Sequence, residues 1–365
     1  MKILHITSEL DGGGVERLLY DYCTRMVPDI HFDFVVTSEK EGILEKKLED
    51  LGCNIFRVSK FRSGVKNHER QMLDIIKKGE YDIIHDHSGY KAFFNLKIAK
   101  KLGIKVRIAH AHQAFMTETR IACVIRKIVT LITKYYATQL FACGIDAAEW
   151  MWGKKTYQYG KVEIMTNAIS IPNFVFSEEA RNEIRKELGL TNKFIIGNVA
   201  RFSYQKNHDF LIDIFREVKK QNDEAILLLV GGGELETDIK LKICDYGLSD
   251  SVIFLGIRDD VPRLMSAMDV FALPSRFEGL PVTLVEAQAA SLPSFASDSI
   301  TKEIKITNYL TYISLAQSAK EWADEILHAK NRKRKDISYD IIKGGYDIES
   351  EAHKMKEYYF SIIDS

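Results

Sequence analysis

Two glutamates with seven residues between them, Glu278 and Glu286, stand in the stretch Pro274-Ser-Arg-Phe-Glu-Gly-Leu-Pro281-Val-Thr-Leu-Val-Glu-Ala. Carboxylates accept hydrogen bonds from hydroxyls, so the pair suits a polyol such as ribose or a hexose. Proline favours a first helical turn, which puts a helix start near Pro281. The backbone of Glu278, Gly279, Leu280 and Pro281 then leads into a helix N-terminus, where free N–H groups attract negative charge. Leu284, Val285, Ala287, Ala289 and Ala290 make this helix largely buried. A buried acid needs a partner, so a merely solvated Glu286 is the weaker alternative.

Three further loops could act on a charged or polar ligand. Arg201-Phe-Ser-Tyr-Gln-Lys206-Asn207 offers two cations. They suit a diphosphate, with Arg as a fork and Lys as a point charge, or they are simply solvated. Asp11-Gly12-Gly13-Gly14-Val15-Glu16 opens a helix and is either a phosphate or substrate loop or a plain turn. Its spacing is neither the dinucleotide fingerprint nor a P-loop. In Ile108-Ala-His110-Ala-His112-Gln113, a histidine can hydrogen-bond sugar or phosphate. Alternating histidines can also bind metal, but no acidic pattern accompanies them, and the expectation is no metal. His85-Asp86-His87 carries the same ambiguity, with a structural or acceptor-side role the simpler reading.

Loops of this kind need strands to hold them. Candidate strands are Lys2–Thr7, His31–Val36, Asn54–Val58, Ile83–His85, Lys105–Ala109 and Gln139–Ala142, separated by helical stretches such as Val15–Met26 and Gly42–Leu51. After an acidic helix at Glu178–Leu188 the pattern restarts, with strands at Phe194–Val199, Ala225–Val230, Val252–Leu255, Val270–Leu273 and Ser294–Ala296 and a helix at Asn207–Lys220. Alternation of strand and helix means parallel sheets covered on both faces. In such sheets ligands bind beyond the carboxyl ends of the strands, where every loop above falls. The expected domains are 1–170, 171–345 and a C-terminal helix in 346–365 that crosses back to the first.

Composition narrows the class. Lys+Arg and Asp+Glu are both 51 in 365 residues, which argues against a general nucleic-acid binder. Five cysteines without a C-x-x-C pair argue against zinc and a disulfide framework, and fit a reducing cytoplasm. The N-terminus reads as a strand rather than a signal peptide, and no apolar run reaches membrane-spanning length.

Taken together, the loops resemble the retaining glycosyltransferases of family 4, across nearly the whole chain. The glutamate pair in Ala272-Leu-Pro-Ser-Arg-Phe-Glu-Gly-Leu-Pro is similar to that family's signature, and Gly197-Asn-Val-Ala-Arg201…Lys206-Asn207-His208 to its donor-phosphate loop. Phe254-Leu-Gly256-Ile257-Arg258 resembles its base-binding turn. The resemblance implies a GT-B fold, two Rossmann-like doubly wound domains facing across a cleft. It implies that Arg201 and Lys206 neutralise the donor diphosphate, Glu286 holds the ribose, Gly256 and Ile257 hold the base, and Glu278 and His112 flank the sugar. Gly13 and Gly14 would approach the phosphates or the acceptor. It also implies a retaining, metal-independent transfer with no cofactor beyond the nucleotide sugar, UDP being favoured over GDP. Two competing readings are a sugar-nucleotide epimerase on the same fold and a non-catalytic partner subunit.

One departure is Asn167-Ala-Ile-Ser170, where the family often has Asn-Gly-Ile-Asp. Gly14-Val-Glu16 resembles a subgroup that builds capsule and exopolysaccharide on a polyprenyl-diphosphate lipid. The acceptor would then be a saccharide or a lipid-linked saccharide, handled in the cytoplasm at the inner membrane face. Arg120–Lys134 is amphipathic, with Arg120, Arg126, Lys127 and Lys134 on one face and Val124, Ile125, Ile128, Leu131 and Ile132 on the other. The segment is either a peripheral membrane contact or, more simply, a surface helix with its apolar face on the core.

Overall fold

The computed structural model describes residues 1–11, 13–60, 64–113 and 119–363. The chain divides into two compact units, Met1–Ala168 with Ile348–Ser365, and Ile169–Asp347. Gly12, part of the glycine loop, lies outside the described residues.

The first unit is built on seven parallel strands: β1 (Lys2–Thr7), β2 (His31–Val36), β3 (Ile55–Arg57), β4 (Ile83–Asp86), β5 (Val106–Ala111), β6 (Gln139–Ala142) and β7 (Glu163–Ile164). Their order is β3-β2-β1-β4-β5-β6-β7. The second unit holds six: β8 (Phe194–Val199), β9 (Ala225–Val230), β10 (Val252–Gly256), β11 (Val270–Leu273), β12 (Ser294–Ser297) and β13 (Leu310–Ile313), ordered β10-β9-β8-β11-β12-β13. The strand order reverses between β1 and β4, and again between β8 and β11. Chains leave those neighbouring strands in opposite directions, which opens a crevice at the carboxyl ends for a ligand.

The strands read as continuous apolar runs because both faces are covered. All six residues of β9, Ala-Ile-Leu-Leu-Leu-Val, are buried. Phe215, Leu227 and Trp322 centre the second core, while Leu19, Phe32, Phe34 and Ile108 centre the first. The C-terminal helix Ile348–Ile363 contributes Ile348, Ala352, Met355 and Tyr359 to the first core. Tyr359 also shares a hydrogen bond of 2.8 Å with His85 on β4.

Several boundaries differ from the sequence reading. The helix expected over Gly42–Leu51 is only Glu45–Glu49. The helix expected from Asn207 begins at His208, because Asn207 takes a left-handed conformation at φ 57°. Strands β7 and β13 were not expected. The first has two residues, too few for a pattern, and the second, Leu-Thr-Tyr-Ile, is too short and mixed to stand out from a loop.

The largest correction concerns the amphipathic segment, which forms the helix Arg120–Tyr136. Its apolar face points outward. Ile121, Val124, Ile125, Ile128, Leu131, Ile132 and Tyr135 are all exposed, while Arg126, Thr130 and Thr133 are buried. The reason lies in the partners. The Arg126 guanidinium stacks 4.1 Å from the Trp150 ring centre, and Lys134 Nζ donates to Thr156 Oγ1 at 2.9 Å and to the Trp152 carbonyl. Two of the four basic residues are therefore anchors, and Arg120 and Lys127 remain exposed. Among the described residues, no helix is long and apolar enough to cross a membrane.

Tyr359→Phe should leave His85 without its phenol partner inside the core and cost about 1–3 kcal/mol. Urea unfolding would show this as a lowered midpoint at unchanged slope, and an unchanged midpoint would deny the hydrogen bond its role.

Candidate functional site

In the second unit the loops following β8 and β11 are neighbours because those strands pair. Backbone and side chains then stitch them together. Arg276 N–H donates to the Gln205 carbonyl at 2.8 Å, and Asn207 Nδ2 to the Pro274 carbonyl at 3.0 Å. Asn198, at the end of β8, donates to the Ala272 carbonyl at 2.8 Å and is bonded in turn to His208.

Glu278 sits at the centre of this junction, only 5% exposed. Lys206 Nζ lies 2.6 Å from its Oε1, Ser275 Oγ donates to Oε1 at 2.7 Å, and Gln205 Nε2 donates to Oε2 at 2.8 Å. A buried carboxylate is tolerable only with such partners. Thus the structure joins Lys206 and Glu278 directly, where the sequence presents them as separate contributors.

Arg201 behaves differently. Its side chain is 72% exposed and pairs with Glu234 at 3.2 Å, in the loop after β9. That loop is Gly231-Gly232-Gly233-Glu234, a glycine run directly after an apolar strand, and the sequence reading missed it. Glycine is required there for close approach. A Cβ on Gly231 would lie 2.2 Å from the Ala200 carbonyl oxygen, and one on Gly233 would lie 2.4 Å from that of Phe202. The Gly231 N–H donates to the Gly256 carbonyl at 2.8 Å, which ties this loop to the turn Gly256-Ile257. Gly256 is left-handed at φ 67°, and the Ile257 side chain is 76% exposed.

Helix Val282–Ala289 begins one residue later than expected, with Pro281 as its N-cap. Leu280 and Pro281 are buried, and Gly279 is half-buried. Glu286 is half-buried, less enclosed than its apolar neighbours suggested, because it lies on the helix face opposite Leu284, Ala287 and Gln288.

In the first unit Gly13 caps the helix Gly14–Met26. A Cβ on Gly13 would meet the Glu16 carboxylate at 2.3 Å, whereas Gly14 faces open space. Glu16 is buried, its carboxyl is raised by burial, and its own backbone N–H donates to it. The helix N-terminus expected to attract phosphate thus already faces a carboxylate.

His112 belongs to a larger group than the sequence suggested. His5, His85, His87 and His110 are buried beside it, and His112 is half-buried. His5 Nδ1 lies 2.8 Å from His87 Nε2, and His87 Nδ1 lies 2.9 Å from His112 Nε2. His85 Nε2 lies 3.1 Å from His110 Nδ1. Burial lowers both His5 and His112 to about 3, and it depresses the other three as well. His112 is therefore a neutral imidazole, with Nε2 engaged by His87 and Nδ1 without a partner among the described residues. Period-two placement at the ends of β4 and β5 was the available signal, but strand pairing was needed to bring His5 in.

These neutral rings make stability depend on acid. The unfolded imidazoles titrate near 6.5, the folded ones far below, so the unfolded chain alone gains protons as pH falls. Stability present above about pH 6.5 is lost progressively toward pH 3, with a limiting slope of about 1.4 kcal/mol per pH unit for each histidine. The melting temperature should fall between pH 7 and pH 5, above the range where surface carboxylates titrate. A flat profile would contradict the burial of the group.

Residues 180–343 match the family described as Glycosyl transferases group 1. EpsF of Bacillus subtilis (strain 168), which carries a provisional glycosyltransferase name, is 30% identical over 371 residues, covering 98% of this chain and 96% of the relative. The Escherichia coli UDP-Gal:alpha-D-GlcNAc-diphosphoundecaprenol alpha-1,3-galactosyltransferase is 25% identical over 395 residues, covering 100% and 97%. The capsular polysaccharide biosynthesis glycosyltransferase CapH of Staphylococcus aureus is 24% identical, covering 99% of each chain. Among solved structures, Anabaena HepE in complex with UDP aligns with a TM-score of 0.81 at 19% identity, covering 99% of this chain and 100% of that one. At that identity the likeness speaks for the GT-B fold, in agreement with the two parallel sheets. With a 30% identical relative matched along nearly the whole of both chains, this chain belongs to the group 1 glycosyl transferase family.

Proposed function

We propose that the chain transfers a hexose or N-acetylhexosamine from a UDP-sugar to a saccharide or polyprenyl-diphosphate-linked acceptor during synthesis of a surface polysaccharide. The observation that carries this reading is the Lys206–Glu278 pair at the point where β8 and β11 diverge. It sets a cation and a polyol-binding acid at the junction where a parallel sheet receives ligands. The E. coli relative's name supplies a UDP donor and a diphosphoundecaprenol acceptor, and CapH is named for capsule synthesis.

In this reading the diphosphate draws Lys206 from Glu278 and Arg201 from Glu234, and their charge stabilises the departing nucleotide. Glu286 takes the ribose hydroxyls, Gly256 and Ile257 the base, and the backbone of Gly279, Leu280 and Pro281 lines the approach to the helix N-terminus. Glu278 hydrogen-bonds the transferred sugar, and in the first unit the neutral His112 offers its ring to a sugar hydroxyl. Gly13 and Gly14 serve the acceptor side, since the Glu16 carboxylate there favours hydroxyls over phosphate. The cations take the place of a metal, and the anomeric configuration is retained by front-face displacement. UDP should raise the melting temperature more than GDP does, because binding to the folded state stabilises it. Glu286→Ala and Lys206→Ala should each lower kcat/KM on the order of a hundredfold or more. Full activity in either variant would reject the site, and epimerisation of the UDP-sugar without acceptor would replace transfer as the reaction.

The exposed apolar face of the helix Arg120–Tyr136 supports a second element, a peripheral seat on an anionic bilayer at the inner membrane face. Its seven exposed apolar side chains are flanked by exposed Arg120 and Lys127, the composition of an interfacial helix. Ile128→Asp with Leu131→Asp should weaken binding to phosphatidylglycerol vesicles about tenfold or more, while the anchoring Arg126 and Lys134 are left intact. Vesicle binding equal to that of the unaltered protein would remove the membrane from the proposal.

A further inference from the structure

Five histidines share one region of the first unit: His5 on β1, His85 on β4, His87 just beyond it, His110 on β5 and His112 just beyond it. Two overlapping trios have one nitrogen per ring within 4.8 Å of the others, His5–His85–His87 and His87–His110–His112. The trios differ in what their nitrogens already do. In the first, His85 is engaged on both sides, by Tyr359 and by His110, and His5 Nδ1 is engaged by His87. In the second, His110 Nε2 and His112 Nδ1 are buried with no hydrogen-bond partner among the described residues. An orphaned buried polar atom is costly, and the one at His110 Nε2, whose other ring nitrogen is already engaged by His85, asks for an occupant.

The geometry points to a three-imidazole site on His87, His110 and His112 for a transition-metal cation such as Zn²⁺. An all-imidazole donor set suits Zn²⁺, Co²⁺, Ni²⁺ or Cu²⁺, whereas Mg²⁺ and Ca²⁺ require oxygen ligands. The rings around the trio form the outer support that ligating histidines need. His87 Nε2 faces His5 Nδ1 at 2.8 Å, and His110 Nδ1 faces His85 Nε2 at 3.1 Å, which leads on to the Tyr359 hydroxyl. Each ring keeps its single proton on the nitrogen turned away from the cation. The proton now shared between His87 Nδ1 and His112 Nε2 moves to an outer nitrogen, so no ring changes charge. Three protein ligands leave one position of a tetrahedral ion for water.

This site is separate from the metal-free transfer proposed above, yet it claims the ring assigned there to the sugar. Zn²⁺ should therefore inhibit transfer, reversibly with chelator. Only that inhibition rests on the proposed role of His112, and the binding itself does not.

The test is calorimetric titration of chelator-stripped full-length protein with Zn²⁺ and, separately, with Mg²⁺. The expected result is one Zn²⁺ per chain at micromolar affinity or tighter, with no Mg²⁺ binding. His110→Ala should weaken Zn²⁺ binding on the order of tenfold or more. Should that variant fail to fold, His112→Ala at the strand end serves in its place. A double variant of the exposed His31 and His353 should bind as the unaltered protein does. Absence of Zn²⁺ binding, binding that survives loss of a trio histidine in a folded variant, or binding lost with His31 and His353 would overturn the site. Zn²⁺ bound without inhibition would uphold the site and instead remove His112 from sugar contact.

Discussion

A carboxylate taken out of water must be met by a cation and by donors, and in the second unit that requirement falls on Glu278. Lys206, Gln205 and Ser275 all answer it, and they come from the loops after β8 and β11. One buried acid thereby fixes the spacing of the two loops that flank the sheet's point of divergence. The hydrogen bonds around it, from the Arg276 backbone to Gln205 and from the Asn207 side chain to Pro274, hold the same junction from either side. Side chains mounted in this way are positioned by packing before any ligand arrives, which limits the reorganisation left for binding.

The two units solve related problems with different chemistry. Beyond the strands of the second unit lie charges, arranged as pairs that an incoming anion can exchange. Beyond those of the first lie neutral rings, linked nitrogen to nitrogen and held uncharged by burial. Charge is thus concentrated in the second unit, while the first offers neutral imidazole nitrogens. The Glu16 carboxylate against Gly13 sharpens this division, since it makes a glycine-led helix start unwelcoming to phosphate.

Much of this was legible in the sequence because periodicity and turn chemistry are local. The strand and helix alternation, the glutamate pair and the Arg201–Lys206 loop could all be read from neighbours in the chain. What escaped reading was set by residues far apart in sequence. The Lys206–Glu278 bond spans 72 positions, and His5 meets His87 across 82. The helix Arg120–Tyr136 failed for a related reason. Alternation of apolar and polar residues at helical spacing reveals that a helix has two faces, not which of them meets the protein. Trp150 and Thr156 decided that by receiving its cations. The glycine run after β9 was visible, and only its tight contacts with Ala200 and Phe202 showed what the glycines were for.

The helix Ile348–Ile363 gives the first unit a core that its own stretch of chain cannot complete. Ile348, Ala352, Met355 and Tyr359 are translated after the whole second unit, yet they pack among residues that precede it. The second unit, Ile169–Asp347, is one continuous stretch that precedes this helix. On the ribosome, where domains usually mature in the order they emerge, this arrangement lets the second unit complete its core before the first. The second unit can close while the first waits with an open apolar surface, and a helix that emerges after the second unit becomes the piece that seals the first.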